Sequence, residues 1–185
     1  AVLDALGNRC DLVANLPYNI ATPLVAECLL CSWRAAVGGV ARLPAFPRLT
    51  FTVQKEVAER IAALPGGRDY GPVSVLAGVL GSVQSGTVLG PQSFWPRPKV
   101  HSQMMRVDFD ADRAAGLESA DALGRLLHVL FTHRRKQVSF AMKSKRSGVD
   151  AVAFSEALHE LGIDPARRPA ELAPEDYRRL ANALH

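Results

Sequence analysis

The chain has 185 residues, 48% of them hydrophobic, with 22 Lys+Arg against 18 Asp+Glu and a formal net charge of +4. That balance fits a globular chain of one or two domains with a sizeable core. No uninterrupted apolar stretch reaches the ~20 residues of a membrane span, and no basic-then-apolar signal layout opens the chain.

In chain order, Leu12–Ala14 is predicted as a strand and Thr22 to about Trp33 as a helix. Thr22 suits the N-cap, Pro23 suits the first helical position, and Leu24, Val25, Cys28 and Leu29 recur at helical spacing. Residues 33–47 read as a loop or local insertion. Leu49–Gln54 reads as a second strand feeding a helix from Lys55 to Leu64, which stops at Pro65-Gly66-Gly67. Glu56 and Arg60 are spaced for an i,i+4 pair on that helix. Val73–Leu80 is predicted as a helix, although the apolar run from Val73 to Leu89 fits either state. Val83–Leu89 and Val100–Phe109 read as antiparallel strands joined by a Pro-rich loop, with Trp95 expected to cover the sheet edge.

After Asp112 the pattern is wholly helical. Leu123, Leu126, Leu127, Leu130 and Phe131 form one stripe, with Ser119 or Asp121 as its cap. Phe154, Ala157, Leu158 and Leu161 form a second, ended by Gly162. Tyr177, Leu180, Ala181 and Leu184 form a third, opened by Pro174 with Glu175 and Asp176 in its first turn. The expected division is an α/β part over residues 1–112 and a helical part over residues 113–185.

Cys10, Cys28 and Cys31 are odd in number and lie in apolar settings, which suits reduced, buried thiols of the cytoplasm. Cys28-x-x-Cys31 falls within a helical pattern and lacks a second ligand pair, so it reads as core packing. The five histidines show no ligand spacing, and no metal is assigned.

The tetrapeptide Asn15-Leu16-Pro17-Tyr18 directly follows the first strand. Read from its residues alone, it is either a tight connection or a site for methylating an exocyclic amine on a flipped-out base. Such a nitrogen is a poor nucleophile, because its lone pair is delocalised into the ring. The Asn15 side-chain oxygen and a backbone carbonyl at Leu16 or Pro17 could accept both amine hydrogens and pyramidalise it. Pro17 restricts Leu16 to extended geometry, and Tyr18 offers a flat face for stacking. Because stacking uses the ring face, Tyr18→Phe is expected to be mild.

DLVANLPYNIATPL, from Asp11 to Leu24, resembles the fourth motif of the ribosomal RNA adenine dimethyltransferases. The likeness continues over Phe51–Ala77, Pro91–Val107, Phe131–Ser144 and Gly162–Leu184, in the family's order; the last two blocks look like the small-subunit type. The resemblance implies an α/β fold: the C-terminal part of a Rossmann-like class I methyltransferase sheet, followed by a small all-helical RNA-binding domain. It implies an S-adenosylmethionine-dependent enzyme that dimethylates adenine N6 in small-subunit ribosomal RNA. The partner would be that RNA in the pre-30S particle, and the full-length enzyme would be a cytoplasmic monomer. Asn15, Leu16, Pro17 and Tyr18 match the catalytic motif, with Asn15 also facing the cofactor. Phe94 matches the aromatic that closes over the adenine opposite the tyrosine.

The chain contains no Gly-x-Gly-x-Gly, and Asp4 lies closer to Asn15 than the family's third acidic ligand. The expectation is therefore a chain truncated within its catalytic domain and inactive alone. Two alternatives stay open: an inert RNA-binding fragment, or a methyltransferase of the same fold acting on another amine, such as large-subunit adenine or a DNA base. Leu16 argues against the DNA enzymes, which more often carry proline there.

RNA contact is assigned to the run His133, Arg134, Arg135 and Lys136 with Lys143, Lys145 and Arg146, which contains no acidic residue. Arg97 and Lys99, beside Phe94, are assigned to flanking phosphates.

Overall fold

A computed structural model of the chain describes residues 9–37, 43–141 and 150–185. Four strands form one sheet: β1 (Leu12–Asn15), β2 (Arg48–Gln54), β3 (Gly81–Leu89) and β4 (Ser102–Phe109), in the order β1-β2-β4-β3. β1 runs parallel to β2, and β4 runs antiparallel to both β2 and β3. The carboxyl ends of β1, β2 and β3 therefore share one rim with the amino end of β4.

Strand period explains the core face. Leu49, Phe51 and Val53 alternate with half-buried Thr50 and Thr52 along β2. Across the ladder, Leu49 faces Val107 and Phe51 faces Met105, all four buried. Burying side chains of this kind contributes roughly 1.5–3 kcal/mol each.

Helix α1 (Ala21–Val37) links β1 to β2 and buries Val25, Cys28 and Leu29. It starts one residue before the predicted N-cap. The chain turns through Ile20, whose carbonyl accepts from Leu24 N at 2.9 Å, and this places Thr22 and Pro23 inside the first turn. Pro23 is harmless there because first-turn N–H groups have no intrahelical partner.

The stretch expected to be loop from Trp33 onward is corrected. Trp33 to Val37 continue α1, and the Trp33 indole N–H donates to the carbonyls of Ala114 (3.1 Å) and Leu117 (3.2 Å). The returning chain is tied to the same helix: Phe46 N donates to Ser32 Oγ at 2.8 Å, and that hydroxyl donates to the Cys28 carbonyl.

Helix α2 (Lys55–Ile61) is shorter than predicted, with Ala63 N turning in to the Arg60 carbonyl. Its ion pair is Lys55–Glu59 at 3.5 Å; among the described residues Glu56 and Arg60 form none. Helix α3 (Pro72–Leu80) opens on Pro72 and buries nearly every side chain, so its β-branched residues cost little beside what packing returns. The Ser74 hydroxyl accepts from Gly71 N and donates to the Arg60 carbonyl at 2.6 Å, locking α3 to α2.

The C-terminal helices are α4 (Ala111–Ala115), α5 (Ala120–Thr132), α6 (Val138–Ala141), α7 (Ala151–Glu160) and α8 (Pro174–Ala183). Ser119 caps α5 through Ala122 N, and Asp110 and Asp150 cap α4 and α7. Gly162 ends α7 at φ +67°, with Ile163 N bonding back to the Leu158 carbonyl. Helix α8 packs on α3, α5 and α7, so the buried residues form one continuous core. No helix among the described residues is long and apolar enough to cross a membrane.

Candidate active site

The rim described above gathers the residues singled out in the sequence. Asn15 ends β1, and the ladder runs one residue further, with Leu16 N donating to the Thr52 carbonyl at 3.1 Å. The Leu16 side chain is buried and anchors the turn, whereas Asn15 and Pro17 are exposed. The Pro17 carbonyl accepts from Ile20 N at 3.1 Å, while the Leu16 carbonyl accepts no hydrogen bond among the described residues. Of the two carbonyls considered, Leu16 is thus the free acceptor beside Asn15.

Two hydroxyls on neighbouring strands hold the motif side chains, and sequence reasoning missed both. Thr52 Oγ1 donates to Asn15 Oδ1 at 2.6 Å. Ser102 Oγ, fully buried at the start of β4, lies 3.1 Å from the Tyr18 hydroxyl. A hydroxyl residue within an apolar strand is a weak signal; only the register puts Thr52 opposite Asn15 and Ser102 opposite Gln54 and Leu89.

Phe94 is half-buried in the β3–β4 connection, after a short 3-10 turn over Pro91–Ser93 whose carbonyl at Pro91 accepts from Phe94 N at 3.3 Å. Leu89 pairs with Ser102, so this connection leaves and re-enters the sheet beside the residue that holds Tyr18. Tyr18 and Phe94 are thereby brought to the same rim; their rings make no mutual contact among the described aromatic pairs. Trp95 is 96% exposed and covers no sheet edge, which corrects that expectation: the buried strand face is already closed by the helices. Arg97 and Lys99 are exposed, and Lys99 borders a shallow cavity of about 390 Å³ shared with Gln54, Lys55 and His101.

The basic run is less uniform than its sequence. Arg134 donates to the backbone carbonyls of Gly67 (3.1 Å) and Arg68, so it fixes a loop of the sheet half. His133 is half-buried and meets the Phe140 ring edge-on at 6.2 Å, and Lys136 Nζ lies 5.5 Å from the centre of the same ring. Arg135 is exposed. Lys143, Lys145 and Arg146 fall outside the described residues.

Cys28 is buried in α1, and burial, reinforced by Cys31, pushes its thiol up to about 11. Burial also raises the half-buried Cys31 thiol, with Glu27 adding to the shift. Neither is an activated nucleophile.

Known proteins resemble this chain in sequence and in fold. A family profile described as ribosomal RNA adenine dimethylase matches residues 3–185. The ribosomal RNA small subunit methyltransferase A of Nitratidesulfovibrio vulgaris (strain DP4) is 39% identical over 173 residues, which are 94% of this chain and 59% of that protein. The protein of the same name from Shouchella clausii (strain KSM-K16) is 34% identical over 188 residues, covering 100% of this chain and 60% of its own length. This chain therefore spans about three-fifths of the length of these curated relatives. The crystal structure of a dimethyladenosine transferase from Plasmodium falciparum matches with a TM-score of 0.75 at 21% identity, over 94% of this chain and 65% of that one. The sheet and its helices thus share a Rossmann-like α/β fold.

Proposed function

Because the chain belongs to the ribosomal RNA adenine dimethylase family, we propose that the protein dimethylates adenine N6 in small-subunit ribosomal RNA. The observation that carries this reading is the pairing of an exposed Asn15 carboxamide, held by Thr52, with the carbonyl of Leu16, which accepts no hydrogen bond among the described residues. One oxygen accepts each hydrogen of the target amine, which draws the nitrogen toward a pyramidal geometry and frees its lone pair. No strong base is needed, because the amine becomes acidic only as it gains its new bond. Tyr18 and Phe94 offer faces for the extruded base, and each stacked base recovers about 1–3 kcal/mol of the unstacking cost.

S-adenosylmethionine supplies an electrophilic methyl group to this chemistry. The donor set suits the acceptor side of such a transfer: two neutral oxygens and an aromatic face. Of the rim residues, Asn15 is the one that would face the methyl donor; the chain carries no Gly-x-Gly-x-Gly to hold its remainder. Residues 1–112 would then form the catalytic part, and residues 113–185 an RNA-docking part through His133, Arg135 and Lys136, with Arg97 and Lys99 on the rim loop. A cytoplasmic, monomeric protein acting on the pre-30S particle fits this reading.

Asn15→Ala in the complete gene product tests it. Single-turnover methylation of small-subunit RNA should fall by on the order of 10²–10³, as for other lost preorganised polar contacts, while RNA affinity holds. A rate within a few-fold of wild type would overturn the assigned role.

A further inference from the structure

The geometry of the rim points to Thr52 and Ser102 as positioning residues for this reaction: two hydroxyls on the inner strands that together set where the Asn15 carboxamide and the Tyr18 ring stand. This inference rests on the adenine-methylation reading above, and it concerns groups that would not themselves touch the base.

Asn15 is exposed at the end of β1, the outermost strand on its side of the sheet among the described residues, where a carboxamide is free to turn about two side-chain torsions. Its orientation decides its chemistry. The oxygen accepts an amine hydrogen, whereas the amide NH₂, turned to the same point, would repel it. Thr52 is the direct cross-strand partner of Asn15, and its hydroxyl donates to Oδ1 at 2.6 Å. A β-branched side chain on a strand has few χ1 choices, so this donor is stiff. It occupies one lone pair of Oδ1 and leaves the other for the amine.

Ser102 acts on the second motif residue. Tyr18 lies three residues past Asn15, in the turn before α1, where the backbone ladder has already ended. Its hydroxyl reaches across the rim to Ser102 on β4, at 3.1 Å. That bond restrains the swing of the ring about χ1, the motion that would carry its face away from the rim. Ser102 has no solvent exposure, and Tyr18 is its side-chain partner among the described residues.

Satisfaction of buried groups alone does not account for both contacts. Thr52 is only half-buried at the rim, where water could serve its hydroxyl, yet it bonds the motif asparagine. β2 and β4 are the two inner strands, the part of the sheet with neighbours on both sides. Catalytic groups held on such elements keep their geometry, and a displacement of about 1 Å can cost on the order of a hundredfold in rate. Tyr18→Phe, expected to be mild from the stacking argument, becomes a damaging change because it leaves Ser102 without its partner.

The test uses the complete gene product, single-turnover methylation at saturating RNA, RNA affinity, and thermal melts. Thr52→Val, which keeps the shape and removes the hydroxyl, should slow the methyl-transfer step about tenfold with RNA affinity within about twofold, and Thr52→Ser should restore most of the rate. Ser102→Ala and Tyr18→Phe should each slow the step, and the double variant should be no slower than the slower single, as for two groups that act through one bond. Tyr18→Phe removes that bond from the half-buried side, so the pair stays testable should Ser102→Ala not fold. Wild-type rates for Thr52→Val and for Tyr18→Phe beside an inactive Asn15→Ala would overturn this inference and leave the methylation reading standing. An active Asn15→Ala would overturn that reading and, with it, the role of both hydroxyls.

Discussion

The Tyr70 hydroxyl donates a 3.0 Å hydrogen bond to the Leu172 carbonyl, 102 residues away in the chain. Both residues are buried, and the bond ties the loop before α3 to the turn before α8. Phe131 of α5 lies between two rings, tilted against Tyr70 at 6.3 Å and stacked on Tyr177 at 5.9 Å. The Tyr177 hydroxyl in turn donates to the Pro169 carbonyl at 2.7 Å. The sheet side and the C-terminal helices are thus joined by a polar bond inside an apolar contact. Tyr70→Phe keeps the ring and orphans a buried carbonyl, which should cost about 1–3 kcal/mol. Urea unfolding should show a lower midpoint at an unchanged slope; an unchanged midpoint would mean that solvent reaches the Leu172 carbonyl.

The same groups predict how stability responds to alkali. Burial, with Asp176 nearby, holds the Tyr70 phenol above its ordinary range, and burial followed by Tyr70 does the same for Tyr177. Cys28, pushed up to about 11 by burial, behaves alike. The unfolded chain releases these protons near their ordinary values, about 8.5 for the thiol and about 10 for the phenols, while the folded chain keeps them. The unfolded state then binds fewer protons, so stability falls as pH rises. The melting temperature should hold to about pH 8.5 and decline progressively above it, steepening beyond about pH 10. A Tyr70→Phe, Tyr177→Phe double variant should start lower and decline less steeply, and an equal slope would contradict the assignment.

Glycine-to-alanine changes should have opposite signs in two helices. A Cβ on Gly78 of α3 would stand 2.6 Å from Pro174 Cγ, the rigid ring that opens α8. A Cβ on Gly124 of α5 meets nothing within 4 Å. Alanine gains about 1 kcal/mol of helix propensity at either site. At Gly124 that gain should appear nearly whole, while at Gly78 overpacking of roughly 1–3 kcal/mol should exceed it. Paired thermal melts read the difference directly, and equal shifts in the two variants would show that α8 yields at no cost.

Local signals explain why so many elements were legible in the sequence. Ser119, Pro174 and Gly162 act on their own backbone neighbourhood, and each stands where its chemistry places it. The ambiguous run from Val73 to Leu89 divides at Gly81, where a Cβ would collide with the Asp108 carbonyl of β4. The misses share another cause. Several i,i+4 pairs are available on α2, and periodicity does not choose Lys55–Glu59 over Glu56–Arg60. Trp33 finds its acceptors some eighty residues downstream, and Thr52 and Ser102 gain their partners only through strand register. The motif itself could be read as a string, whereas what holds it is set by the sheet.

The basic run after α5 should divide by role when RNA binding is measured against salt. Arg134 is committed to the carbonyls of Gly67 and Arg68, so Arg134→Ala should lower the melting temperature and leave the salt slope nearly unchanged. Arg135 is exposed, and Lys136, beside Phe140, is exposed too. A phosphate contact made by either releases counterions, and losing it should flatten the plot of log affinity against log salt by about 0.7–0.9. Arg135→Ala and Lys136→Ala should therefore each weaken binding most at low salt while the protein melts as wild type. Titrations with a small-subunit RNA fragment across a salt series, paired with melts, separate the two behaviours. If Arg134→Ala flattens the slope as much as Arg135→Ala does, its guanidinium serves the RNA and the loop contact is secondary. If neither Arg135→Ala nor Lys136→Ala changes the slope, the RNA-docking role proposed for these two residues fails.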